Sequence, residues 1–296
     1  MDGFDYKKIF RNREFRLKLI NKLSFIPDSW YIRVVYWIKT GKKLNLKNPV
    51  GFNEKLNWLK LNDIHPEYTK LVDKLAVRDY ISKEIGEEYL IPLLGHWEHF
   101  DDIDFTSLPD KFVLKCNHDS NSVSLITDKK SIDKKRLKEF YDGRLAINCY
   151  NLGRDYPYKK VKPCIIAEKF MENPNESGIK DYKFFCFNGN PRFMFVVAER
   201  FADKSETYYD MDFNRLDIVN GYTKTESSDI QPKNFEKMKQ MAHFFSKDKK
   251  FVRIDFYEVG GQIYFGEFTF FPSGGFLLFE PPEWEKRLGD WIDLNV

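Results

Sequence analysis

The amino-acid sequence predicts an α+β fold with a helical N-terminal region. Residues 1–50 are basic and carry apolar positions at helical spacing. After residue 110 the pattern changes to short apolar runs with alternating polarity, separated by turn residues, which is typical of strands and hairpins. The length of 296 residues allows a sizeable core and two or three subdomains.

Composition excludes several classes of protein. The chain has 48 basic and 45 acidic residues, too small a cationic excess for a dedicated nucleic-acid binder. No apolar run approaches the ~18 residues of a membrane span, and no signal-peptide core is evident, so we expect a location in the cytoplasm or at the inner face of the membrane. The four cysteines lack C-x-x-C spacing, which predicts neither a zinc site nor disulfides: Cys116, Cys149, Cys164 and Cys186.

Two N-terminal segments are predicted as helices. They are "FRNREFRLKLINKL" and "SWYIRVVYWIKTGKKLNLKNP", separated by Pro27, and the second is closed by Gly41. An apolar stripe on the second helix is more often a docking face against the protein than a membrane-surface face, although contact with anionic lipid or a lipid-linked glycan is the alternative. The stripe consists of Trp30, Tyr31, Val34, Val35 and Ile38.

The following segments are assigned in chain order. We expect a helix in "GFNEKLNWLKLNDI" with Asn53 as its N-cap, and a second helix in "YTKLVDKLAVRDYISKEIG" ended by Gly86. Strand-like FVLK and VSLI flank a polar loop, and a charged helix follows from about Ile132. Then come the strand "CIIAEKFM", a hairpin across Asn188-Gly189-Asn190, one helix between residues 223 and 250, and a last hairpin.

The last hairpin carries the most chemistry. Arg253 and Asp255 share one face of "FVRIDFYE", and Glu267 and Thr269 share one face of "QIYFGEFTFF". A three-residue loop, residues 260–262, would set Asp255 opposite Glu267, whereas a two-residue Gly-Gly loop would place them on opposite faces. If the carboxylates meet, they form the oxygen site that Mg²⁺ uses to bridge protein and phosphates. The alternative is that Arg253 neutralises one acid on a solvated face.

A second candidate site is the polar loop in "KCNHDSNSVS". Lys115 ends an apolar strand, and residues 118–124, including His118, Ser120 and Ser122, offer N–H groups and small side chains that suit phosphate. A turn stabilised by Asn and Asp caps explains the same residues equally well.

Charged residues at other strands add to these sites. Asp181 and Lys183 share one strand face, and Glu168 and Lys169 end another strand. Lysines at strand ends are normally solvated. Four basic residues, if they converge with Asp255 and Glu267, would suit a triphosphate with magnesium: Arg78, Lys115, Lys183 and Arg253.

Eight segments follow one another along the chain in this order: "FNEKLNWLKL", "DKLAVRDYI", "YLIPLLG", "LPDKFVLKCNHDSNS", "IIAEKFM", "DYKFFCFNG", "FVRIDFYE" and "YFGEFTFFPSGG". Together they resemble the ATP-grasp superfamily and within it the TupA-like branch, named for a teichuronopeptide biosynthesis protein. The resemblance runs from about residue 44 to residue 289. It implies two α+β subdomains that grip ATP. The implied boundaries are a helical region at 1–65, a linker subdomain at 66–110, a small subdomain at 111–171 and a large one at 172–296.

The resemblance also implies residue roles. Arg78, Lys115 and Lys183 would contact phosphates, the loop with His118, Ser120 and Ser122 would close over them, and Asp181 would join the nucleotide site. Glu168 would face the adenine amino group, with backbone bonds from Lys169 and Met171, and either Glu172 or Glu176 would bind ribose. Asp255, Glu267 and Thr269 would hold Mg²⁺, and Arg253 would stabilise the transferred phosphoryl group. Thr269 stands where many ATP-grasp enzymes have Asn, and "HDSNS" lacks the glycines usual in the loop.

The implied function is an ATP-dependent carboxylate–amine ligase. Its expected acceptor is a uronic-acid carboxylate of a capsular or cell-wall glycan precursor, and its expected nucleophile is an amino acid or small amine. The alternative is a glycosyltransferase, with "DMD" at Asp210–Asp212 as its metal motif, although these residues read as a polar turn. A non-catalytic nucleotide-binding protein is the third hypothesis.

Overall fold

A computed structural model describes residues 25–120, 122–172, 178–198, 205–220 and 231–295. The helix predicted over residues 10–23 and the candidate ribose ligand Glu176 lie outside these ranges. Within them, no helix has both the length and the apolarity that a membrane crossing requires.

Eight α-helices lie in the described ranges. Their bounds are α1 Asp28–Thr40, α2 Phe52–Asn62, α3 Tyr68–Val72, α4 Val77–Ile85, α5 Lys134–Leu145, α6 Tyr150–Gly153, α7 Phe235–Ser246 and α8 Glu283–Asp290.

The described strands form two sheets in which every pair of neighbours is antiparallel. A four-stranded sheet has the order β1-β4-β2-β3, and a five-stranded sheet has the order β7-β6-β5-β8-β9. This mixture of helices and antiparallel sheets confirms the predicted α+β class. The strands are β1 Leu93–Trp97, β2 Phe112–Cys116, β3 Ser124–Ile126, β4 Ile165–Lys169, β5 Asp181–Phe187, β6 Asn190–Ala198, β7 Ser205–Asp210, β8 Phe251–Val259 and β9 Gln262–Thr269.

Strand β5 lies in the middle of the larger sheet and is buried along its whole length. Every residue of β5 is buried, because the sheet is covered on both faces. On one face Phe184 packs against Phe235 of α7, with ring centroids 6.0 Å apart. On the other face Lys183 and Phe185 line a cavity. The sheet therefore presents one side to an aromatic core and the other to the candidate site.

Two predicted helices differ in detail. The helix expected over residues 68–86 is broken into α3 and α4, because Asp73 leaves the helical conformation (ψ 111°) and its side chain accepts bonds from the N–H groups of Leu75 and Ala76. The prediction of Asn53 as an N-cap is wrong. Helix α2 begins at Phe52, and Asn53 is buried in its first turn, where its amide bonds to Leu277 and Glu285.

The docking face of α1 is not the predicted stripe. Tyr31 is buried as expected, but the other large buried side chains are Ile32 and Tyr36, which pack with Leu44 and Phe276. The rest of the predicted stripe is exposed except for Val35, which is half-buried. The helix is apolar around most of its circumference, so periodicity alone does not select the buried side.

Candidate active site

The β8–β9 hairpin places the two predicted metal carboxylates opposite each other. Its turn has two residues, Gly260 and Gly261, and the regular register runs from Val259 to Phe256. A bulge then shifts the pairing by one residue, so Asp255 faces Glu267. The two-residue turn is one of the two alternatives predicted from the sequence. The facing carboxylates are the result that had been predicted for the other alternative, a three-residue loop.

The bulge depends on Gly266. A Cβ atom at this position would lie 3.0 Å from the carbonyl oxygen of Asp255 and 3.2 Å from its Cβ. The backbones of the two strands therefore approach so closely here that a Cβ atom would force them apart by a few tenths of an ångström. Gly266 supports the candidate site without taking part in any chemistry, and sequence reasoning missed it.

A network of ion pairs surrounds the two carboxylates. Arg253 donates to Asp255 Oδ1 at 2.7 Å from Nε, and its NH2 group bridges Asp255 Oδ2 and Glu267 Oε1, each at 2.8 Å. Lys183 contacts Asp255 and lies 2.6 Å from Asp181 Oδ2. Thr269 donates its hydroxyl to Glu267 Oε1 at 3.3 Å. The structure therefore brings together six of the predicted site residues, with Asp255 at the centre.

Burial sets the electrostatics of this network. It raises the pKa of the Asp255 carboxyl, whereas the charges of Arg253 and Lys183 lower it. For Arg253, burial opposes the charged guanidinium, but Asp255 and Glu267 together raise its pKa above the usual value. Each ion therefore depends on its partners to remain charged in the interior.

Lys74 joins the network, and sequence reasoning missed it. Its Nζ lies 3.3 Å from Glu267 Oε2 and donates to the carbonyl oxygen of Asp119 at 2.7 Å. Lys74 thus connects the carboxylates on the large sheet to the candidate phosphate loop. It lies in the break between α3 and α4, inside the stretch that the sequence predicts as one helix, and nothing in the sequence beyond its place in the segment "DKLAVRDYI" indicated it.

The predicted phosphate loop connects β2 and β3, which pair as the expected hairpin. Its centre is a buried ion pair in which Arg144 Nε donates to Asp119 Oδ2 at 2.5 Å and Arg144 NH2 donates to the Ser120 carbonyl at 2.8 Å. Ser122 is buried, donates to Asp119 and accepts from the Cys116 N–H. The side chain of Ser122 therefore holds the loop together, whereas Ser120 is exposed and lines the cavity.

His118 is also held inside the loop. Its ring nitrogens lie 3.2 Å from Asn117 Oδ1 and 3.3 Å from the Arg144 carbonyl oxygen. Burial, with the nearby charge of Lys74, lowers the pKa of His118 to about 4, so the ring is neutral at physiological pH.

Lys115 and Glu168, on β2 and β4 of the small sheet, form a second group with Arg78 of α4. Lys115 Nζ lies 2.6 Å from Glu168 Oε2, and Arg78 NH1 lies 3.5 Å from Glu168 Oε1. Arg78 also donates to the Ile91 carbonyl at 2.8 Å. In this structure both cations thus contact Glu168, rather than the carboxylates around Arg253.

The predicted hinge follows Glu168 at the end of β4. The N–H of Lys169 donates to the Pro92 carbonyl at 2.9 Å, which leaves the carbonyl of Lys169 and the N–H of Met171 as its candidate nucleotide contacts. Glu172 is exposed and pairs with Lys111 at 2.6 Å.

A cavity of about 570 Å³ lies over the Arg253 network. Its lining includes charged groups from both sheets, among them Asp119, Lys183, Arg253 and Glu267. It also includes a group of largely apolar side chains from other elements: Leu152, Tyr158, Phe271, Phe276, Leu277 and Phe279. Burial, with the charge of Glu267, raises the pKa of Tyr158 well above its usual value. The phenol therefore stays protonated and can donate a hydrogen bond to a ligand in the cavity. A ligand in this cavity would meet both ionic and aromatic surface.

The donor atoms at this site fit Mg²⁺. Asp255, Glu267 and Thr269 offer hard oxygen ligands on adjacent strands, as magnesium prefers. Among the described residues, no three His, Cys, Asp or Glu side chains form a metal site by themselves.

A family model described as TupA-like ATPgrasp matches residues 54–293. A comparison with curated proteins gives no match.

Two solved structures to which this chain is similar are described as ligases. A D-alanine–D-alanine ligase from Bacillus anthracis is 14% identical, with a TM-score of 0.45, and the match covers 75% of this chain and 66% of that one. An L-amino acid ligase from Bacillus licheniformis is 14% identical, with a TM-score of 0.43, and the match covers 90% of this chain and 57% of that one. This chain thus spans less than two thirds of the length of either ligase.

Proposed function

Because the chain belongs to the TupA-like ATP-grasp family, we propose that it is an ATP-dependent carboxylate–amine ligase that modifies a surface-polysaccharide precursor. The acceptor is a uronic-acid carboxylate, and the nucleophile is an amino acid or small amine. One observation from the structure supports this most directly. The bulged register sets Asp255 opposite Glu267 with Arg253 across both, under a cavity that also receives the phosphate loop.

The nucleotide would lie between the two sheets. Glu168, the carbonyl of Lys169 and the N–H of Met171 would bind adenine, and Glu172 is the described candidate for the ribose. Lys115 and Arg78, which share Glu168 in this structure, would turn to the phosphates, and Ser120 with the backbone of its loop would cover them. Lys183, beside Asp181 and Asp255, would reach the transferred phosphoryl group.

Asp255, Glu267 and Thr269 would hold Mg²⁺, which when bound neutralises charge on the phosphates. Arg253 would stabilise negative charge that develops on the transferred phosphoryl group. The acceptor carboxylate oxygen forms a bond to the γ-phosphorus, and the bond to ADP breaks, which gives an acyl phosphate. The amine then attacks the acyl carbon and loses a proton to solvent, while inorganic phosphate leaves.

Measurement of ADP release tests this proposal. The chain is incubated with ATP, magnesium and a panel of uronic acids and amino acids. We expect ADP release that depends on both an acid and an amine. Glu267→Gln should reduce it at least a hundredfold without loss of the fold, whereas Glu236→Gln, an exposed site on α7, should leave it unchanged. ADP release by Glu267→Gln at the rate of the unmodified chain would exclude this role.

The glycosyltransferase alternative gains no support from the described residues. Asp210 accepts bonds from the N–H groups of Asp212 and Asn214 at 2.9 and 2.8 Å, so this carboxylate stabilises a turn. Incubation with sugar nucleotides instead of ATP should release no nucleotide.

A further inference from the structure

One side of α1 exposes large apolar side chains. Trp30, Val34, Trp37 and Ile38 lie on one side of the helix and are 68, 52, 60 and 59% exposed. We call these four residues the outer face of α1. Buried Ile32 and Tyr36 fix the opposite side of the helix to the protein, so the outer face points away from the core.

Charge is strongly segregated towards this end of the chain. The first 50 residues contain 12 Lys or Arg and 4 Asp or Glu, whereas the remainder contains 36 and 41. Three of these lysines, Lys42, Lys43 and Lys47, are exposed directly after α1. A cationic segment beside an exposed apolar face complements an anionic, partly apolar partner.

We propose that the outer face of α1 docks on the anionic lipid surface of a membrane. Tryptophan is enriched where a membrane meets water, and two of the four side chains are tryptophans. Nearby lysines add attraction to anionic headgroups. The competing occupant is the segment before residue 25, but it has seven basic and three acidic residues, so the lysines after α1 would repel it.

The same helix also borders the candidate active site. Lys39 follows Ile38 and lines the cavity that contains Arg253 and Glu267, with its Nζ 4.6 Å from the ring centroid of Phe276. The cavity wall thus lies about one helix diameter, roughly 10 Å, from a lipid surface seated on the outer face. This part of the inference rests on the proposed ligase function, and it identifies the acceptor class as a glycan carried on a lipid.

Vesicle binding of the full chain tests the docking face. The expected result is binding to vesicles of phosphatidylcholine with phosphatidylglycerol, weak binding to phosphatidylcholine alone, and quenching of tryptophan fluorescence by brominated lipid. Ile38→Ser should weaken binding about threefold, and Trp30→Ser with Trp37→Ser about tenfold or more. Ile64→Ser is a matched control, because Ile64 is also 59% exposed but lies after α2.

Three outcomes would overturn the docking proposal. They are no binding of the unmodified chain, equal binding by the outer-face variants, or an equal loss in Ile64→Ser. A lower melting temperature of the tryptophan double variant without any change in vesicle binding would show that protein covers this face.

ADP release separates this inference from the ligase proposal. Hexadecyl glucuronide in anionic vesicles and methyl glucuronide in solution serve as acceptors. Each is incubated with ATP, magnesium and the same panel of amino acids as nucleophiles. The membrane-bound acceptor should give the higher kcat/KM, and Ile38→Ser but not Ile64→Ser should reduce that advantage. Equal use of both acceptors would overturn the lipid-carried class. ADP release with neither would count against that class and against a uronic-acid acceptor, while vesicle binding would still decide the docking face.

Discussion

Replacement of Gly266 by alanine tests whether the bulge in β9 positions the candidate metal carboxylates. The added Cβ would lie 3.0 Å from the Asp255 carbonyl oxygen and 3.2 Å from both Asp255 Cβ and a ring carbon of Tyr257. Atoms at van der Waals contact lie about 3.5 Å apart or more, so the strands must separate by a few tenths of an ångström. Because two of these three contacts, including the shortest, belong to Asp255, the displacement affects the carboxylate side of the site.

The magnitude follows from this displacement. A misplacement of about 1 Å in an active site can reduce turnover about a hundredfold, so a shift about half as large predicts a loss near tenfold. Overpacking of this kind destabilises by about 1–3 kcal/mol, which for a chain of this size lowers the melting temperature by several degrees. Valine at the same position should increase both effects.

ADP release and thermal unfolding measure the two effects in the same samples. Gly143→Ala is the control, because nothing lies within 4 Å of its Cβ and alanine favours a helix interior. That variant should keep full activity and unfold at the same or a higher temperature. Turnover by Gly266→Ala within twofold of the unmodified chain would refute the argument that this close approach sets the geometry.

Three further substitutions test other contacts. Lys60→Met leaves the largely buried Asp155 carboxylate without its 2.9 Å partner, and urea unfolding should show a loss of about 3–5 kcal/mol. His118→Gln should flatten the pH dependence of stability: the folded-state pKa is about 4 and the unfolded one about 6.5, so the contribution is complete above pH 6.5 and decreases by about 3 kcal/mol towards pH 4. Lys74→Met should reduce ADP release about tenfold or more, because it removes the cation that contacts both Glu267 and the Asp119 carbonyl oxygen. The Lys74 side chain is only 13% exposed, so the variant should also lose stability, and ADP release is measured at a temperature at which the variant is fully folded. Full activity under that condition would make Lys74 a structural residue.

The last hairpin shows what sequence can and cannot predict about this site. Alternation and the Gly-Gly turn are local, so both strands and the shared face of Arg253 and Asp255 were predictable. Register is not local, because one inserted residue reverses every side chain of a strand. A signal was nevertheless present, since an isolated glycine inside a strand pattern, here Gly266, indicates a bulge. The facing pair could have been predicted from a two-residue turn together with that glycine.

The loop after β2 and the helix α1 show a different limit. The pattern "HDSNS" identified small polar residues. It could not show that Asp119 forms a buried ion pair with Arg144, which is 25 residues away in sequence. Likewise, helical spacing gave α1 two apolar sides, and which one is buried depends on Leu44 and Phe276. In both cases the deciding partner is distant in sequence, and residue type alone does not reveal it.

The charges around Asp255 set a condition for metal binding. Three carboxylates, Asp181, Asp255 and Glu267, are in contact with three cations, Lys74, Lys183 and Arg253. With every group ionised, the side chains of this network are neutral as a set, so a divalent cation alone would leave two uncompensated positive charges in a largely buried site. Under the proposed function, the phosphates of ATP would supply the missing negative charge. We therefore expect magnesium to bind weakly by itself and much more tightly together with the nucleotide, because each offsets the charge that the other brings into the site.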